Sequence, residues 1–382
     1  MVIVEAPYLS DLLLDFLERN QIPVISNKYV LSINKKYTLN YIGTDDAVKR
    51  YQNGDRLYTV SELTFDWIFK NIPNSNTVKA IKLLKDKVAF RKALADHYPD
   101  FFFKELTLEE LLSMNASKIP YPVILKPSIG FYSIGVYAIF NKEDYNDAVY
   151  DIIININKWK NDFPESVIGS TFILEQYIKG LEFAIDAYYD MDGQPVILNI
   201  LTRKFLSQGD VGNRIYYTSA EIIRRYLKQF EVFLSRVNEK LKIKDFPMHI
   251  ELRVDGEEII PIEFNPLRFT GSCCTDIAYY AYGINTVEYY LIQLKPDFDS
   301  IIENKTNKIY SIILLDKAGR DISNDSFNYQ KLYENFENVL DIRKIEDLTM
   351  GLFAFLFTET SVENEQELDT ALVSDFSEYI MI

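Results

Sequence analysis

The densest group of chemically useful side chains lies in two alternating segments, Met248-His-Ile-Glu-Leu-Arg-Val254 and Ile259-Ile-Pro-Ile-Glu-Phe-Asn265. Ile250, Leu252 and Val254 on the first and Ile260, Ile262 and Phe264 on the second give each strand one buried face. Putting all six on the same side pairs even-numbered positions with even-numbered ones. That requires a loop of odd length or a bulge, rather than a two-residue turn at Asp255-Gly256. A five-residue loop would set Glu251 across from Glu263 and Asn265 across from His249. Opposed carboxylates repel unless a cation sits between them or one is protonated. A hard divalent cation resolves the conflict, because Mg²⁺ takes carboxylate and amide oxygens; Glu251, Glu263 and Asn265 are the candidate ligands. A plain hairpin with a solvated acidic face is the alternative. Just beyond, in Pro266-Leu-Arg-Phe-Thr-Gly271, Arg268 could meet a carboxylate or phosphoryl group, or be an ordinary surface arginine.

Two other stretches suit a nucleotide. Pro122-Val-Ile-Leu-Lys-Pro127 reads as a strand ending in Lys126. It is followed by a small-residue loop holding Ser128, Gly130, Ser133 and Gly135, then a strand over Val136–Phe140. Backbone N–H groups and hydroxyls there can approach phosphate oxygens while Lys126 supplies a point charge. It is not a Walker loop, since no Gly-Lys-Ser/Thr follows and no helix begins. A hairpin loop with a solvated lysine fits the same residues. Next, Phe172 to Asp186 reads as a strand interrupted at Lys179-Gly180 and resumed. The interruption frees backbone groups around Gln176, Tyr177 and Ile178 to read a purine edge, with Glu182 as acceptor for ribose hydroxyls. A bulged strand with exposed glutamates is the other reading.

The elements that must carry these groups follow from periodicity. Val2–Val4, a helix over Ser10–Glu18 and Pro23–Ile25 form a β-α-β opening. Its connection, Glu5 to Ser10, lacks the glycines of a dinucleotide site. Leu57–Val60 and a helical Ser61–Asn71 repeat the pattern, and Pro73–Asn76 marks a boundary near residue 78. Helices over Val78–Leu84 and Lys87–Ala95 lead into several strand pairs. Beyond Lys295-Pro-Asp297 come a strand Ile309–Leu315, a helix Tyr329–Val339, a strand Leu352–Phe357 and a helix Glu365–Tyr379. The expected domains are 1–78, 79–296 and 297–382, in an α/β plus α+β chain.

Composition sets the outer limits. With 382 residues, 48% hydrophobic and 25% charged, the chain has the balance of an ordinary soluble globular protein rather than a disordered or fibrous one, and length enough for a full-sized core. Lys plus Arg number 41 against 56 Asp plus Glu, a net charge of −15 that argues against a nucleic-acid partner. The 2 histidines, His97 and His249, exclude a multi-histidine metal site. Cys273 and Cys274 are adjacent, so they offer neither a long-range staple nor zinc spacing; they read as a small buried pair in a reducing compartment. There is no basic n-region and no apolar run approaching the roughly 18 residues of a membrane span, so neither a leader nor a membrane is expected and the location expected is cytoplasmic. The 27 Tyr and 25 Phe suit cores and interfaces, including a homodimer contact.

Taken in order, Asp86-Lys87, Leu125-Lys-Pro127, Glu175-Gln-Tyr-Ile178 with Gly180 and Glu182, His249-Ile-Glu251 and Glu263-Phe-Asn-Pro266 resemble the ATP-grasp superfamily over residues 79 to 296. The resemblance implies ATP-grasp architecture with a small Rossmann-like N-terminal domain and a small α/β C-terminal domain. It implies ATP and Mg²⁺, or Mn²⁺ in its place. Lys87 and Lys126 would then contact phosphates under a cover containing Ser128, Gly130, Ser133 and Gly135. Gln176, Tyr177 and Ile178 would meet adenine with Glu175 beside them, Glu182 the ribose, and Arg203 or Lys204 the γ-phosphate. Glu251, Glu263 and Asn265 would hold the metal. His249-x-Glu251 followed by Glu263 and Arg268-Phe-Thr-Gly271 is most similar to carboxylate–amine ligases, including L-amino-acid ligases and enzymes like D-alanine–D-alanine ligase. That likeness implies His249, Arg203 and Arg268 as catalytic residues, small carboxylates and amines such as amino acids as substrates, and an amide or peptide bond made through an acyl phosphate. A phosphotransferase and a non-catalytic ATP-binding regulator would share the same cradle. Arg268 stands five residues after Glu263, one later than is usual in such ligases, with Leu267 as the extra residue. Substrate selection is expected in loops such as Gln208–Ser219.

Overall fold

The computed structural model describes residues 1–33, 36–130, 133–205, 214–345 and 351–381. The N-terminal segment is a parallel sheet of β1 (Val2–Ile3), β2 (Pro23–Ile25), β3 (Asn40–Ile42) and β4 (Tyr58–Thr59), in the order β3-β2-β1-β4. Helix Asp11–Arg19 starts where the Ser10 hydroxyl accepts the Leu13 N–H, and it buries Leu13, Leu14, Phe16 and Leu17 along one face. Sequence reading missed β3 and the flanking helices Lys28–Ile33 and Thr44–Gln52. The expected helix Ser61–Asn71 is divided into a 3₁₀ turn, Glu62–Thr64, and a helix, Phe65–Asn71.

A second, antiparallel sheet contains β5 (Phe103–Leu106), β6 (Val123–Pro127), β7 (Tyr137–Ile139) and β8 (Phe172–Gln176), in the order β5-β8-β6-β7. It shares a core with helix Lys142–Asp162, built from Val123, Leu125, Ile152 and Leu174 among others.

The third sheet holds β9 (Leu181–Tyr189), β10 (Pro195–Arg203), β11 (Ile215–Ser219), β12 (Phe246–Asp255), β13 (Glu258–Pro266), β14 (Lys308–Asp316), β15 (Val339–Lys344) and β16 (Leu352–Ser361). Its order is β13-β12-β9-β10-β11-β14-β16-β15, antiparallel throughout, with helix Ala220–Leu241 packed on β10 and β11. Residues 297–382 therefore do not make a sheet of their own. The ladder from Ile215↔Ile313 to Ser219↔Ile309 joins them to the central one, although Phe327, Leu332, Phe353, Leu368 and Phe376 form a separate apolar cluster beneath them. The expected helix Tyr329–Val339 ends at Tyr333, and Val339 opens β15 instead. The last helix runs only from Gln366 to Val373. At the other end, the apolar cluster that includes Met1, Val2 and Ile3 continues into the central sheet through Ile250, Phe264 and Leu267. Among the described residues, no helix is long and apolar enough to cross a membrane.

Six adjacent strands of this sheet face one cavity of about 330 Å³, through Glu263, Glu251, Glu182, Arg203, Tyr216 and Leu314 on β13, β12, β9, β10, β11 and β14 in turn. Strands β6 and β8, the 3₁₀ turn at Glu62, the loop at Pro7 and Tyr8, Lys87, Gly130 and the segment from Arg268 to Cys274 are among its other walls.

Candidate active site

The hairpin register follows the alternation of apolar residues from Met248 to Glu251 but not beyond, where Arg253 pairs with Ile260 and Val254 with Ile259. Glu251 lies opposite Glu263 and His249 opposite Asn265. A bulge supplies the odd residue, not a five-residue loop: beyond Glu251↔Glu263 the ladder shifts to Leu252↔Pro261, and the strands close over Gly256 and Glu257. Ile262 is the residue displaced, and it lines the cavity instead of joining the apolar side.

Glu251, Glu263 and Asn265 all face the cavity. Two carboxylates and an amide oxygen suit a small hard cation, which would also draw on phosphate oxygens and water. Among the described residues no cluster of three or more His, Cys, Asp or Glu side chains is arranged for a metal. In this state the Glu263 charge is met by Lys87, with Nζ 2.7 Å from Oε2, and Asn265 Nδ2 donates to Glu263 Oε1 at 3.1 Å. That pairing holds the Glu263 carboxyl far below the usual range, against the upward push of burial. His249 Nε2 stands 3.4 Å from Glu251 Oε1, while Nδ1 meets Asp186 at 3.2 Å and Thr270 Oγ1 at 2.8 Å. Burial alone would lower the imidazole pKa, but bonding to Asp186 and Glu251 outweighs it and pushes it up to about 9. His249, bonded to Asp186 and Thr270 through Nδ1 and close to Glu251 through Nε2, is thus suited to orienting the Glu251 carboxylate.

Cations converge from three elements. Lys126, at the end of β6, places Nζ 2.8 Å from Glu175 Oε1, and Arg91 Nε donates to the other oxygen at 2.7 Å. Burial would raise the Glu175 pKa, yet these two cations hold it at about 2. Lys87 opens a helix, Lys87–Ala93, whose first N–H groups are capped by Asp86, and its own N–H donates to Ser128 O. Lys85, which sequence reading passed over, pairs with Glu62 and donates to Gly130 O at 2.6 Å, tying the loop down beside Lys87. A Cβ at Gly130 would stand 3.9 Å from Lys87 Nζ.

Three predicted nucleotide contacts are not on the cavity. The Ser128 hydroxyl is 2.7 Å from Thr171 Oγ1, so it joins neighbouring strands. Gly135 packs where a Cβ would meet Trp159 at 3.1 Å. Lys204 Nζ reaches Glu365 and Asp369, both at 2.7 Å, because consecutive residues at the end of a strand face opposite ways. Its neighbour Arg203 is the one that faces the cavity. Gly130 and Ser133 line the cavity, whereas residues 131–132 of the expected cover and 208–213 of the expected specificity loop lie outside the described residues.

The strand expected to resume after Lys179-Gly180 instead changes sheets, β8 ending at Gln176 and β9 starting at Leu181. Gly180 has φ +97°, and a Cβ there would lie 2.1 Å from Val254 O, so only glycine fits. Gln176, Tyr177 and Ile178 line the cavity in this crossing. Arg253 fixes it: Nη1 donates to Ile178 O at 2.5 Å, Nε and Nη2 donate to Glu182 Oε2 at 3.0 and 2.9 Å, and the guanidinium lies over the Tyr177 ring. Glu182 Oε1 is taken by Arg203 at 2.5 Å. The predicted ribose acceptor therefore already carries two arginines and has only its remaining lone pairs to offer.

Arg268 faces the cavity and is bound by Glu62 Oε1, at 2.9 Å to Nε and 2.8 Å to Nη2. Leu267 adopts φ +60°, with its N–H on Pro247 O and its C=O accepting from Thr59 N. The extra residue is thus absorbed in a left-handed turn that returns Arg268 to the site. Glu62 is 1% exposed and bridges Lys85 and Arg268; burial raises its pKa, but the two cations bring it down overall. The lining also includes Val60, Ser61, Gly271 and Ser272, and the apolar or weakly polar Pro7, Tyr8, Cys274 and Leu314, all missed from sequence. Both cysteines are buried and free, as a small buried pair should be, and Cys274 borders the cavity.

Comparison with known proteins bears on the fold. Residues 119–276 match the model of the ATP-grasp domain family. Over 106 residues the chain is 44% identical to the D-alanine–D-alanine ligase of Anaplasma marginale (strain Florida), covering 28% of each protein. Over 110 residues it is 29% identical to that of Rickettsia akari (strain Hartford), covering 27% of this chain and 29% of the other. The matched segments span well under half the length of these curated relatives. Among solved structures, an L-amino acid ligase from Bacillus licheniformis superposes with a TM-score of 0.67 at 16% identity, over 97% of this chain and 95% of that one. The N5-carboxyaminoimidazole ribonucleotide synthetase of Thermus thermophilus gives 0.63 at 13%, over 100% and 98%. At those identities the superpositions speak for the fold alone. The chain carries an ATP-grasp domain and has the ATP-grasp fold.

Proposed function

We propose that this chain is an ATP- and Mg²⁺-dependent carboxylate–amine ligase that makes an amide or peptide bond between small substrates, amino acids among them. The observation that carries the reading is the pair of opposed carboxylates, Glu251 and Glu263, facing one cavity with Lys87, Lys126, Arg203 and Arg268. Glu251, Glu263 and Asn265 would hold the metal, which when bound offsets phosphate charge. Lys87 and Lys126 exchange their glutamate partners for phosphates. Arg203 faces the transferring group from β10, and Arg268, held by Glu62, orients the substrate carboxylate. That carboxylate attacks the γ-phosphorus, ADP leaves, and the resulting acyl phosphate is captured by the amine with release of phosphate. Acid–base demand is small, which suits a chain with 2 histidines. Pro7, Tyr8, Val60, Cys274 and Leu314 form a largely uncharged part of the wall, suited to an apolar substituent.

The test is ADP and phosphate release from Mg²⁺-ATP against pooled amino acids and small carboxylates, with mass spectrometry of the products. A condensation product is expected, and Lys126→Ala should abolish turnover. A stable phosphorylated product formed without an amine would replace this reading with a phosphotransferase. Failure to bind Mg²⁺-ATP would end it.

A further inference from the structure

Arg343, on the edge strand β15, is the centre of a buried polar cluster drawn from three distant parts of the chain. Its Nη1 donates to Asp276 Oδ2 at 2.5 Å and to Ser10 Oγ at 3.1 Å. Nη2 donates to the Tyr280 hydroxyl at 3.0 Å, and Nε donates to Asp341 Oδ2 at 2.8 Å. The Tyr280 hydroxyl donates to the same Asp341 oxygen at 2.6 Å, and the Ser10 hydroxyl bonds Asp276. The guanidinium also lies 4.6 Å from the Phe357 ring centre.

None of these residues borders the cavity, yet the two loops they join do. Pro7 and Tyr8 stand just before Ser10, and Ser272 and Cys274 just before Asp276. The Tyr8 ring packs edge-on against Phe355 of β16, 5.1 Å between centres. A buried ion pair is a poor source of stability in itself, because desolvation consumes much of the attraction. A planar fork reaching acceptors on three segments does something a lysine cannot: it fixes their relative positions.

We propose that Arg343 is a positioning residue, pinning the Pro7–Ser10 loop to the Ser272–Asp276 loop and thereby setting the wall against which the substrates lie. The assignment of that wall to the substrates rests on the ligase reading above; the pinning itself does not. It gives the C-terminal strands a part in substrate binding, although the cluster touches no predicted nucleotide or metal residue.

The chain's own thiols supply a probe independent of substrate. Burial holds the Cys274 thiol well above its ordinary pKa, so it should label slowly until the wall opens. In a Cys273→Ser background, which keeps a hydroxyl beside Arg343 and leaves one thiol, maleimide labelling would be followed in Arg343→Met, Arg343→Lys and Ser10→Ala, together with Mg²⁺-ADP binding and thermal melts. Labelling should rise at least tenfold in Arg343→Met, almost as much in Arg343→Lys, and about threefold in the milder Ser10→Ala, with Mg²⁺-ADP affinity within twofold. With an established carboxylate substrate, KM should rise at least tenfold and kcat change less than threefold. Unchanged labelling in Ser10→Ala and the folded Arg343 variants would overturn the proposal. So would loss of Mg²⁺-ADP affinity in step with the labelling, which would mark general loosening, or full rescue by Arg343→Lys, which would reduce the role to charge. Failure of the ligase reading would look different: the unaltered chain itself would bind no Mg²⁺-ADP or condense no substrates.

Discussion

Replacing Glu263 with Gln separates a metal ligand from a mere counter-ion, since the two roles predict opposite outcomes. Lys87 Nζ and Glu263 Oε2 are 2.7 Å apart, with side chains 9% and 23% exposed. At an effective dielectric constant of about 20 their gross attraction is about 6 kcal/mol. Desolvation offsets most of this, so losing the charge should cost about 2 kcal/mol of stability, or roughly 2–3 °C in Tm for a chain of this length. Without metal, Glu263 competes with phosphate for Lys87. Its removal should therefore tighten binding of metal-free nucleotide by about tenfold, or about 1.4 kcal/mol. With Mg²⁺ present the order reverses, because one of two carboxylate ligands is gone, and the gain in affinity that Mg²⁺ confers should shrink by well over tenfold, about a hundredfold. Titration calorimetry with a non-hydrolysable ATP analogue, in EDTA and in Mg²⁺, measures both arms on the same protein. If the Gln variant kept the wild-type ratio between the two conditions, Glu263 would be only the partner of Lys87, and the metal assignment would be refuted.

Other outcomes follow from the same geometry. Gly180→Ala must accommodate both φ +97° and a Cβ 2.1 Å from Val254 O, and should cost more than about 3 kcal/mol, read as a lowered melting temperature. Arg203→Ala should weaken Mg²⁺-ATP binding more than tenfold while Lys204→Ala, whose partners are Glu365 and Asp369, leaves it within twofold; the reverse ranking would overturn the choice of Arg203. Glu175 falls from 4.5 in the unfolded chain to about 2 in the fold, a depressed carboxylate whose stabilisation is full above pH 4.5 and is lost as pH falls toward 2. Glu175→Gln should lower stability at neutral pH and flatten the decline over that window by roughly 3 kcal/mol, as followed by denaturant melts.

What could be read from the sequence was local and periodic. The alternation of Ile250 and Leu252 against Phe264 set the parity that puts Glu251 and Glu263 on one face, because a one-residue slip would bury charges; their direct pairing followed only with an assumed loop length, and Ile260 and Ile262 leave the apolar face. It could not distinguish a long loop from a bulge, since both restore the same parity. Lys126 was legible as a lysine closing an apolar strand, but Glu62 was not. Its partners Lys85 and Arg268 are brought to it by the tertiary fold, and neither periodicity nor spacing marks such a meeting. Arg253 stood in the sequence as one residue of an alternating hairpin, with nothing to mark its grip on Ile178 and Glu182. Short β3 and β15 escaped for another reason: each is held by its neighbours in a sheet more than by a run of apolar side chains. The joining of β11 to β14 is likewise a pairing between distant segments, invisible to any window along the chain.

The strand order of the central sheet has a consequence for synthesis. Glu263 lies on the strand at one edge and lines the cavity, while Arg343 lies on the strand at the other and binds Asp276 and Ser10, which follow two of the cavity's loops. A nascent chain that has left the ribosome as far as β13 already owns every predicted metal ligand. It still lacks Leu314 on β14, Phe355 behind Tyr8 and the guanidinium beside Ser10. On the proposed ligase reading, the order of synthesis therefore delays completion of the substrate wall until the last edge has been threaded into place, so that a truncated product would meet nucleotide before it had the enclosure to exclude water from an acyl phosphate.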